Sequence, residues 1–153
     1  MDLFEKVKNC IEERSKQAKI LSSLQSEMVF VDYGEPVELF EYGQPILPFP
    51  PLRKGKKSVR VYLIMMNYWY NTDQVIVYLN SIGLRPAVAQ ELAELTIFSR
   101  RPSFIVSLGS PRPNTNGVLQ VLQMSVFKNE RLLGVETFDK QWNSYIGFAA
   151  VKK

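Results

Sequence analysis

Histidine is absent from this chain of 153 residues, and cysteine occurs once, at Cys10. Histidine is the usual general base near neutral pH and the commonest metal ligand, so its absence excludes Ser-His-Asp sites, Cys-His sites and histidine-containing zinc sites. A single cysteine excludes an intramolecular disulfide and a zinc site of several thiolates. Composition leaves open an enzyme that uses only carboxylates, or a Mg²⁺ site bound by carboxylates.

Long apolar runs are also missing. The longest run, residues 61–66, is far too short to span a bilayer, and residues 1–5 lack the basic start and apolar run of a signal peptide. Hydrophobic residues make up 46% of the chain and charged residues 22%, which argues against disorder. We therefore expect a single cytoplasmic domain with no membrane contact. The net charge of +4 says little about partners.

The first 27 residues predict an amphipathic N-terminal helix, because apolar side chains recur three or four positions apart over residues 3–25. The apolar side chains of this stripe are Leu3, Phe4, Val7, Cys10, Ile11, Ala18, Leu21 and Leu24. We expect the helix to dock on the rest of the protein, with a dimerising coiled coil as the alternative. Cys10 lies on the stripe and is predicted to be buried and inert.

Residues 28–153 are predicted to form one α+β domain, in which residues 28–57 hold a strand and a proline-rich loop. The strand is expected over residues 28–33. The prolines at positions 36, 45, 48, 50 and 51 predict an ordered loop, with a short helical turn over residues 37–42 as an option. A basic run follows, formed by Arg53, Lys54, Lys56, Lys57 and Arg60. A solvated turn is the favoured interpretation of this run, and a nucleic-acid contact is the alternative.

Residues 58–153 predict a sheet with two consecutive helices. The first strand, over residues 58–66, is followed by an aromatic cluster at residues 67–70, interpreted as a core edge or a strand end rather than a ligand-stacking surface. Asn71 or Thr72 caps the next helix and Gly83 ends it, while Pro86 suits the first turn of a second helix that ends at residues 100–102. Further strands are expected over residues 104–108, 118–127, 131–138 and 145–151, with a hairpin turn at residues 128–130.

Carboxylates that could support catalysis are few. Glu91 and Glu94 share a helix face that is expected to be exposed, since Leu92 and Leu95 define the buried side. Four acidic residues could gather a divalent cation, but their spacing matches no known calcium loop: Asp32, Glu35, Glu38 and Glu41. No phosphate-binding glycine loop is present. The chain is therefore predicted not to be an enzyme and to bind no metal or cofactor.

The order of elements, with two helices joined at Gly83-Leu84-Arg85-Pro86, resembles the C-type-lectin-like fold, whose sheet is mixed or antiparallel. The chain more closely resembles a group of uncharacterised bacterial hypothetical proteins over about residues 54–153. The shared motifs are Lys54-Gly55-Lys56, G-L-R-P-A-x-x-x-E-L over residues 83–92, F-I-V-x-L-G-S over 104–110, Trp142-Asn143, and F-A-A-V-x-K over 148–153.

This resemblance implies a binding protein, since C-type-lectin-like modules bind sugars, proteins or small molecules near their last strands. Some bacterial and phage members are diversified by diversity-generating retroelements. The ligand-binding residues implied by the resemblance are Gln120, Gln123, Ser125, Glu136, Lys140, Gln141, Ser144 and Tyr145. The calcium-site motifs of sugar-binding lectins and the cysteines of formylglycine-generating relatives are missing. Calcium-dependent sugar binding and that oxidase chemistry are therefore not expected.

Plainer interpretations stand beside this one. Gln120 and Gln123 could be ordinary solvent-facing strand residues, and Trp142 is expected to be a core anchor. Three hypotheses follow: a non-enzymatic binding module that uses the C-terminal strands and loops, a nucleic-acid-binding protein that uses the basic run, and a subunit that assembles through its N-terminal helix.

Overall fold

The computed structural model describes residues 2–96, 102–127 and 130–153. Its helices are α1 (Leu3–Ser22), α2 (Thr72–Ser81) and α3 (Ala89–Ala93). Its strands are β1 (Ser26–Asp32), β2 (Val37–Glu41), β3 (Gln44–Phe49), β4 (Lys56–Met65), β5 (Tyr70–Asn71), β6 (Leu84–Pro86), β7 (Phe104–Pro113), β8 (Leu119–Phe127), β9 (Glu130–Thr137), β10 (Gln141–Trp142) and β11 (Ile146–Lys152). The predicted α+β class with an N-terminal helix is confirmed.

The main sheet has the strand order β1-β4-β11-β7-β8-β9, with β6 paired beside part of β11. It is mixed, because β11 runs parallel to β7 and antiparallel to β4 and β6. Two small antiparallel pairs, β2–β3 and β5–β10, lie outside it.

Strand β11 lies in the middle of the sheet because both of its faces are apolar. Every residue from Ile146 to Val151 is buried, as expected for a strand covered on both sides. A Cβ at Gly147 would lie 2.7 Å from Leu63 Cδ1 and 2.7 Å from Pro102 Cγ, so any larger residue there would force these side chains to shift.

The two faces of the sheet carry separate apolar layers. On one face, here called the hairpin side, the β2–β3 hairpin and α3 pack on β1, β4 and β11 through residues such as Val31, Val61 and Leu92. On the other, the helix side, α2 and Trp142 pack on Ile64, Val106 and Phe148. Each exposed residue of the sheet therefore belongs to one of two distinct surfaces.

The proline-rich segment is a hairpin, so the predicted loop is wrong for residues 37–49. Val37 pairs with Phe49 and Glu41 with Gln44, and Tyr42 and Gly43 have the positive φ angles typical of a tight hairpin turn. Pro45 and Pro48 are tolerated because both strands of a two-stranded sheet are edge strands, where proline is accepted.

The joint between α2 and α3 differs from its prediction. Of the two predicted caps for α2, Asn71 is the one observed. Gly83 follows the helix with a φ of +84°, as predicted for a glycine that ends a helix. The expectation that Pro86 starts the second helix is wrong, because residues 84–86 pair with β11 as β6 and α3 begins at Ala89. The predicted stop at Arg100 and Arg101, and the turn at Lys128 and Asn129, lie outside the described residues.

Helix α1 projects from the domain rather than docking along its length. Asp2 caps it by accepting a hydrogen bond from the Glu5 N–H, and Leu21 is its only buried residue. Leu3, Phe4 and Val7 remain exposed. Cys10 is exposed too, so the prediction that it is buried is wrong. Among the described residues, no helix is both long and apolar enough to cross a membrane.

Glu91, expected at the surface, is completely buried and holds the helix joint against β1. Its carboxylate accepts two hydrogen bonds from Arg85, at 2.8 and 2.7 Å, one from the Tyr33 hydroxyl at 2.7 Å and one from the Val88 N–H at 2.9 Å. Burial alone raises the pKa of Glu91, but these donors outweigh it and lower the pKa overall. Burial, together with the Glu91 carboxylate, raises the pKa of Tyr33 to about 12.

We predict that Glu91→Gln lowers the free energy of unfolding by about 3 kcal/mol, measured by urea denaturation near neutral pH. The low end of the range for broken buried pairs applies because the Arg85 side chain keeps 35% exposure and can be partly hydrated. Exposed Glu94→Gln, three residues along the same segment, is the control and should change stability by less than about 0.5 kcal/mol. Equal effects of the two substitutions would contradict a structural role for Glu91.

We also predict that this stability difference depends on acidity. The folded-state pKa of Glu91 is lowered, so its stabilisation is complete above the ordinary carboxyl pKa of about 4.3 and is lost as pH falls through the folded-state value. Urea denaturation of the native chain and Glu91→Gln at about pH 7, 4 and 3 should show the gap closing at low pH. A gap that widened on acidification would refute the assignment.

Candidate functional site

The predicted ligand-binding residues of β8 and β9 lie mainly on the helix side of the sheet. Paired residues of neighbouring strands point to the same face, and the register pairs Val121 with Glu136 and Gln123 with Gly134. Because Val121 packs into the helix-side layer, Gln123, Ser125 and Glu136 share that side by strand alternation.

Strands β7 and β11 extend the same surface. Phe104 pairs with Ser125 on one side and with Ile146 on the other, while Leu132 lies opposite Ser125 on β9. Phe104 and Leu132 keep 38% and 52% exposure. We call this surface the C-terminal face, defined by Phe104, Gln123, Ser125, Leu132, Gly134, Glu136 and Lys140.

The centre of the C-terminal face is open. No heavy atom lies within 4 Å of the position that a Cβ would take at Gly134, and the φ angle there is not in the left-handed region. Gln123 is the direct cross-strand neighbour of this glycine. A partner can therefore approach the sheet backbone closely at this point.

A salt bridge borders the open centre. Lys140 Nζ lies 3.3 Å from Glu136 Oε2 and 5.0 Å from the centre of the Trp142 ring. Both ionised side chains stay about one-third exposed, so each can exchange its partner for a ligand group at small cost.

Trp142 supports this region from beneath. It is 1% exposed, packs edge-to-face on Phe148 with ring centres 5.8 Å apart, and donates from Nε1 to Thr72 Oγ1 at 2.9 Å. Thr72 in turn donates to the Phe138 carbonyl. The predicted role of Trp142 as a core anchor is confirmed.

Exposed aromatic side chains lie in the segments that lead into β5 and β11. Tyr145 is 71% exposed, in the loop just before β11. Tyr68 and Trp69 are also exposed, so the interpretation as a core edge is wrong for these two, whereas Tyr70 is half-buried and packs on the helix-side layer. Tyr70 pairs with Trp142, so the segment that carries Tyr68 and Trp69 leads into the β5–β10 pair, which follows Lys140 in the chain. Only the pairing of β5 with β10 reveals this proximity, and the sequence carries no signal for it.

Gln120 lies on the opposite side of the sheet from the rest of its set. Its Oε1 accepts a hydrogen bond from Arg112 Nη1 at 2.8 Å. Arg112 is buried on the hairpin side, where its guanidinium donates to the Leu47 carbonyl and lies 4.6 Å from the centre of the Phe49 ring. This burial lowers the pKa of Arg112. Gln141 and Ser144 are exposed, in β10 and in the loop after it.

The basic run is split between surfaces. The Arg53 guanidinium lies 4.2 Å from the centre of the Tyr33 ring, and Lys54 is in the loop before β4. Lys57 pairs with buried Val31 and therefore faces the hairpin side, whereas Lys56 and Arg60 face the helix side. The run does not form one continuous patch.

The acidic residues near β2 do not assemble a metal centre. A depression of about 240 Å³ is lined by Asp32, Glu35, Glu38 and Glu94. Gln90 also lines it and donates from its side chain to the Glu35 and Pro50 carbonyls. Within the part of the chain that the structure describes, no three acidic or thiol side chains are placed to hold a metal ion.

Comparison with models of known families, with curated proteins and with solved structures found no match. The geometry of the chain therefore carries the functional argument by itself.

Proposed function

We propose that this chain is a non-enzymatic recognition module that binds a protein or small-molecule partner on the C-terminal face. The observation that carries the proposal is the register of β7, β8 and β9. This register gathers Gln123, Ser125 and Glu136 beside an open glycine, and the salt bridge to Glu136 brings Lys140 to the same place.

The chemistry of the face suits recognition. Exposed tyrosine and tryptophan side chains dominate the binding energy of many interfaces, because they bury large areas with little loss of side-chain freedom. Tyr68 and Trp69, which lead into the β5–β10 pair, and Tyr145, which precedes β11, are exposed and supply such anchors. An open surface of this kind fits an extended partner, such as another protein, better than an enclosed metabolite. The lack of histidine supports a binding role over catalysis.

We include in the proposal a C-type-lectin-like fold and kinship with the bacterial hypothetical proteins that the motifs resemble. The two short helices, α2 and α3, which follow each other with only Gly83 and the short strand β6 between them, and the central place of β11 in the sheet support it. The location of the candidate site on the last strands agrees with the binding surface of such modules.

Substitution of Gly134 by arginine tests the proposal directly. The added side chain would fill the open centre of the face without strain in the backbone, so we expect partner capture to fall at least tenfold while folding stability is kept. Wild-type and variant chains would be immobilised, and proteins captured from extracts of the source cells quantified by mass spectrometry. A glycan array read in parallel covers sugar ligands.

Gln44→Arg provides the matched control, because it adds the same charge to an exposed position of the β2–β3 hairpin on the hairpin side. It should keep every partner that the wild-type chain captures. If Gly134→Arg keeps the same partners at the same level as Gln44→Arg, the C-terminal face is not the binding site.

A second candidate function is self-assembly through α1. Its first three turns present an exposed apolar stripe of Leu3, Phe4, Val7 and Ile11, and the side chains of Phe4, Val7 and Ile11 line a depression of about 360 Å³. Spacings of three and four residues place these side chains on one helix face, as in helices that pair with a second copy.

Light scattering tests this candidate. We expect the wild-type chain to show a mass of at least twice 17.6 kDa at high concentration, and Phe4→Ser combined with Ile11→Ser to show 17.6 kDa. Lys6→Ser combined with Glu13→Ser has the same seven-residue separation off the stripe, and should leave the oligomer intact. A wild-type chain that stays monomeric at every concentration would rule out self-assembly.

A further inference from the structure

Two depressions lie beside the C-terminal half of α1, on a surface that the C-terminal face does not include. One has a volume of about 540 Å³ and lies between α1, the end of α2 and the end of β11. The other, of about 370 Å³, lies between α1 and the strands β1 and β4. They share Ala18, Leu21 and Lys152 as lining residues, and so adjoin each other along the helix. We call the pair the α1 groove.

The charged side chains of the α1 groove are all positive. Arg14, Lys152 and Lys153 line the larger depression, and Arg60 lines the smaller one with Lys152. No aspartate or glutamate occurs among the lining residues that the structure describes. The ion pairs of the described residues, Arg85–Glu91 and Lys140–Glu136, involve none of these four cations. Four cations without a counter-ion make the groove attractive to an anionic ligand.

Apolar side chains continue the groove along β1. Arg60 pairs with Met28 and donates to Ser26 Oγ at 3.1 Å, so its guanidinium lies along the edge of the sheet. Met28 and Phe30 point to this same side and are 54% and 61% exposed. Lys56, the next residue after Arg60 on this side of β4 that carries a positive charge, lies opposite Asp32 at the far end of β1. An exposed aromatic ring thus lies directly beyond the cations.

We propose that the α1 groove and the adjoining β1 surface bind single-stranded nucleic acid. Proteins that bind single strands combine a positive groove that follows the phosphates with exposed aromatic rings on which bases stack. Arg14, Arg60 and Lys152 supply the first element, and Phe30 the second. A duplex keeps its bases stacked internally and gains nothing from the ring, so this arrangement selects unpaired strands.

This site differs from a simple basic run. Of the five cations between positions 53 and 60, Arg60 alone lines the groove, while Arg14 and Lys152 come from distant parts of the sequence. The surface is separate from the C-terminal face, so the two binding proposals can fail independently.

Fluorescence anisotropy with labelled single-stranded DNA and RNA of about 16 nucleotides tests the proposal. We expect binding that weakens between about 50 and 200 mM salt, with a slope of about −0.7 in log K against log salt for each phosphate neutralised. Arg60→Gln and Lys152→Gln should each reduce the slope by about 0.7. Phe30→Leu should weaken binding by about five- to a hundredfold with an unchanged slope, because it removes stacking and leaves charge intact.

Matched controls separate the groove from general charge effects. Lys54→Gln removes the same charge as Lys152→Gln from the loop outside the groove, and should leave the slope unchanged. Phe40→Leu alters a phenylalanine of equal exposure on the β2–β3 hairpin, and should leave the affinity unchanged.

Several results would overturn the proposal. These are the absence of binding at low salt, equal losses for Lys54→Gln and Lys152→Gln, and duplex binding as tight as single-strand binding with no effect of Phe30→Leu. Tighter binding to vesicles that contain phosphatidylserine than to any oligonucleotide would assign the groove to anionic membranes instead.

Discussion

The buried carboxylate of Glu91 is the interaction on which the arrangement of the domain depends. It receives hydrogen bonds from Arg85 in β6, from the Val88 N–H just before α3 and from Tyr33 just after β1, and so joins the helix joint to a segment 58 residues earlier in the chain. An ionised group without water requires such donors, because burial would otherwise force it to take up a proton. Strand β7 contacts this joint directly, because the Gly109 N–H donates a hydrogen bond to the Ala87 carbonyl oxygen. The contact requires glycine, since a Cβ on residue 109 would lie only 2.7 Å from that oxygen. The path of β7, and with it the position of the C-terminal face, follows from this corner.

Much of the element order could be predicted because its signals are local. The apolar pattern of β4, the Asn71 cap of α2, the left-handed Gly83 and the continuous apolar run of β11 each depend on neighbouring residues only. The strands of the C-terminal hairpin were predictable for the same reason. The grouping of Gln123, Ser125 and Glu136 follows from these strands once their register is known, and Lys140 joins it through Glu136. Gln120 has an even number in β8, so strand alternation turns its side chain to the opposite face of the sheet.

The errors share a physical cause, since each concerns a residue whose environment is set by a distant segment. Glu91 has the spacing of a surface residue, and only Arg85 and Tyr33 make its burial favourable. Pro45 and Pro48 discourage a strand in a large sheet but not in an isolated pair of edge strands. The α1 stripe has the pattern of a docked helix, yet the domain offers it no apolar surface beyond Leu21. Periodicity shows that a face is apolar and does not show what covers it.

The central place of β11 has a consequence for how the chain folds. β4 and β7 belong to one sheet only through β11, which follows both of them by dozens of residues. Until that strand inserts, the chain can form the β7–β8–β9 meander and the β1–β4 pair as separate fragments, each with an open apolar edge. Loop closure over such distances makes folding slow, and open strand edges favour aggregation in the meantime. The facing edges of β4 and β7 therefore stay unpaired until residues 146–152 take their place between them.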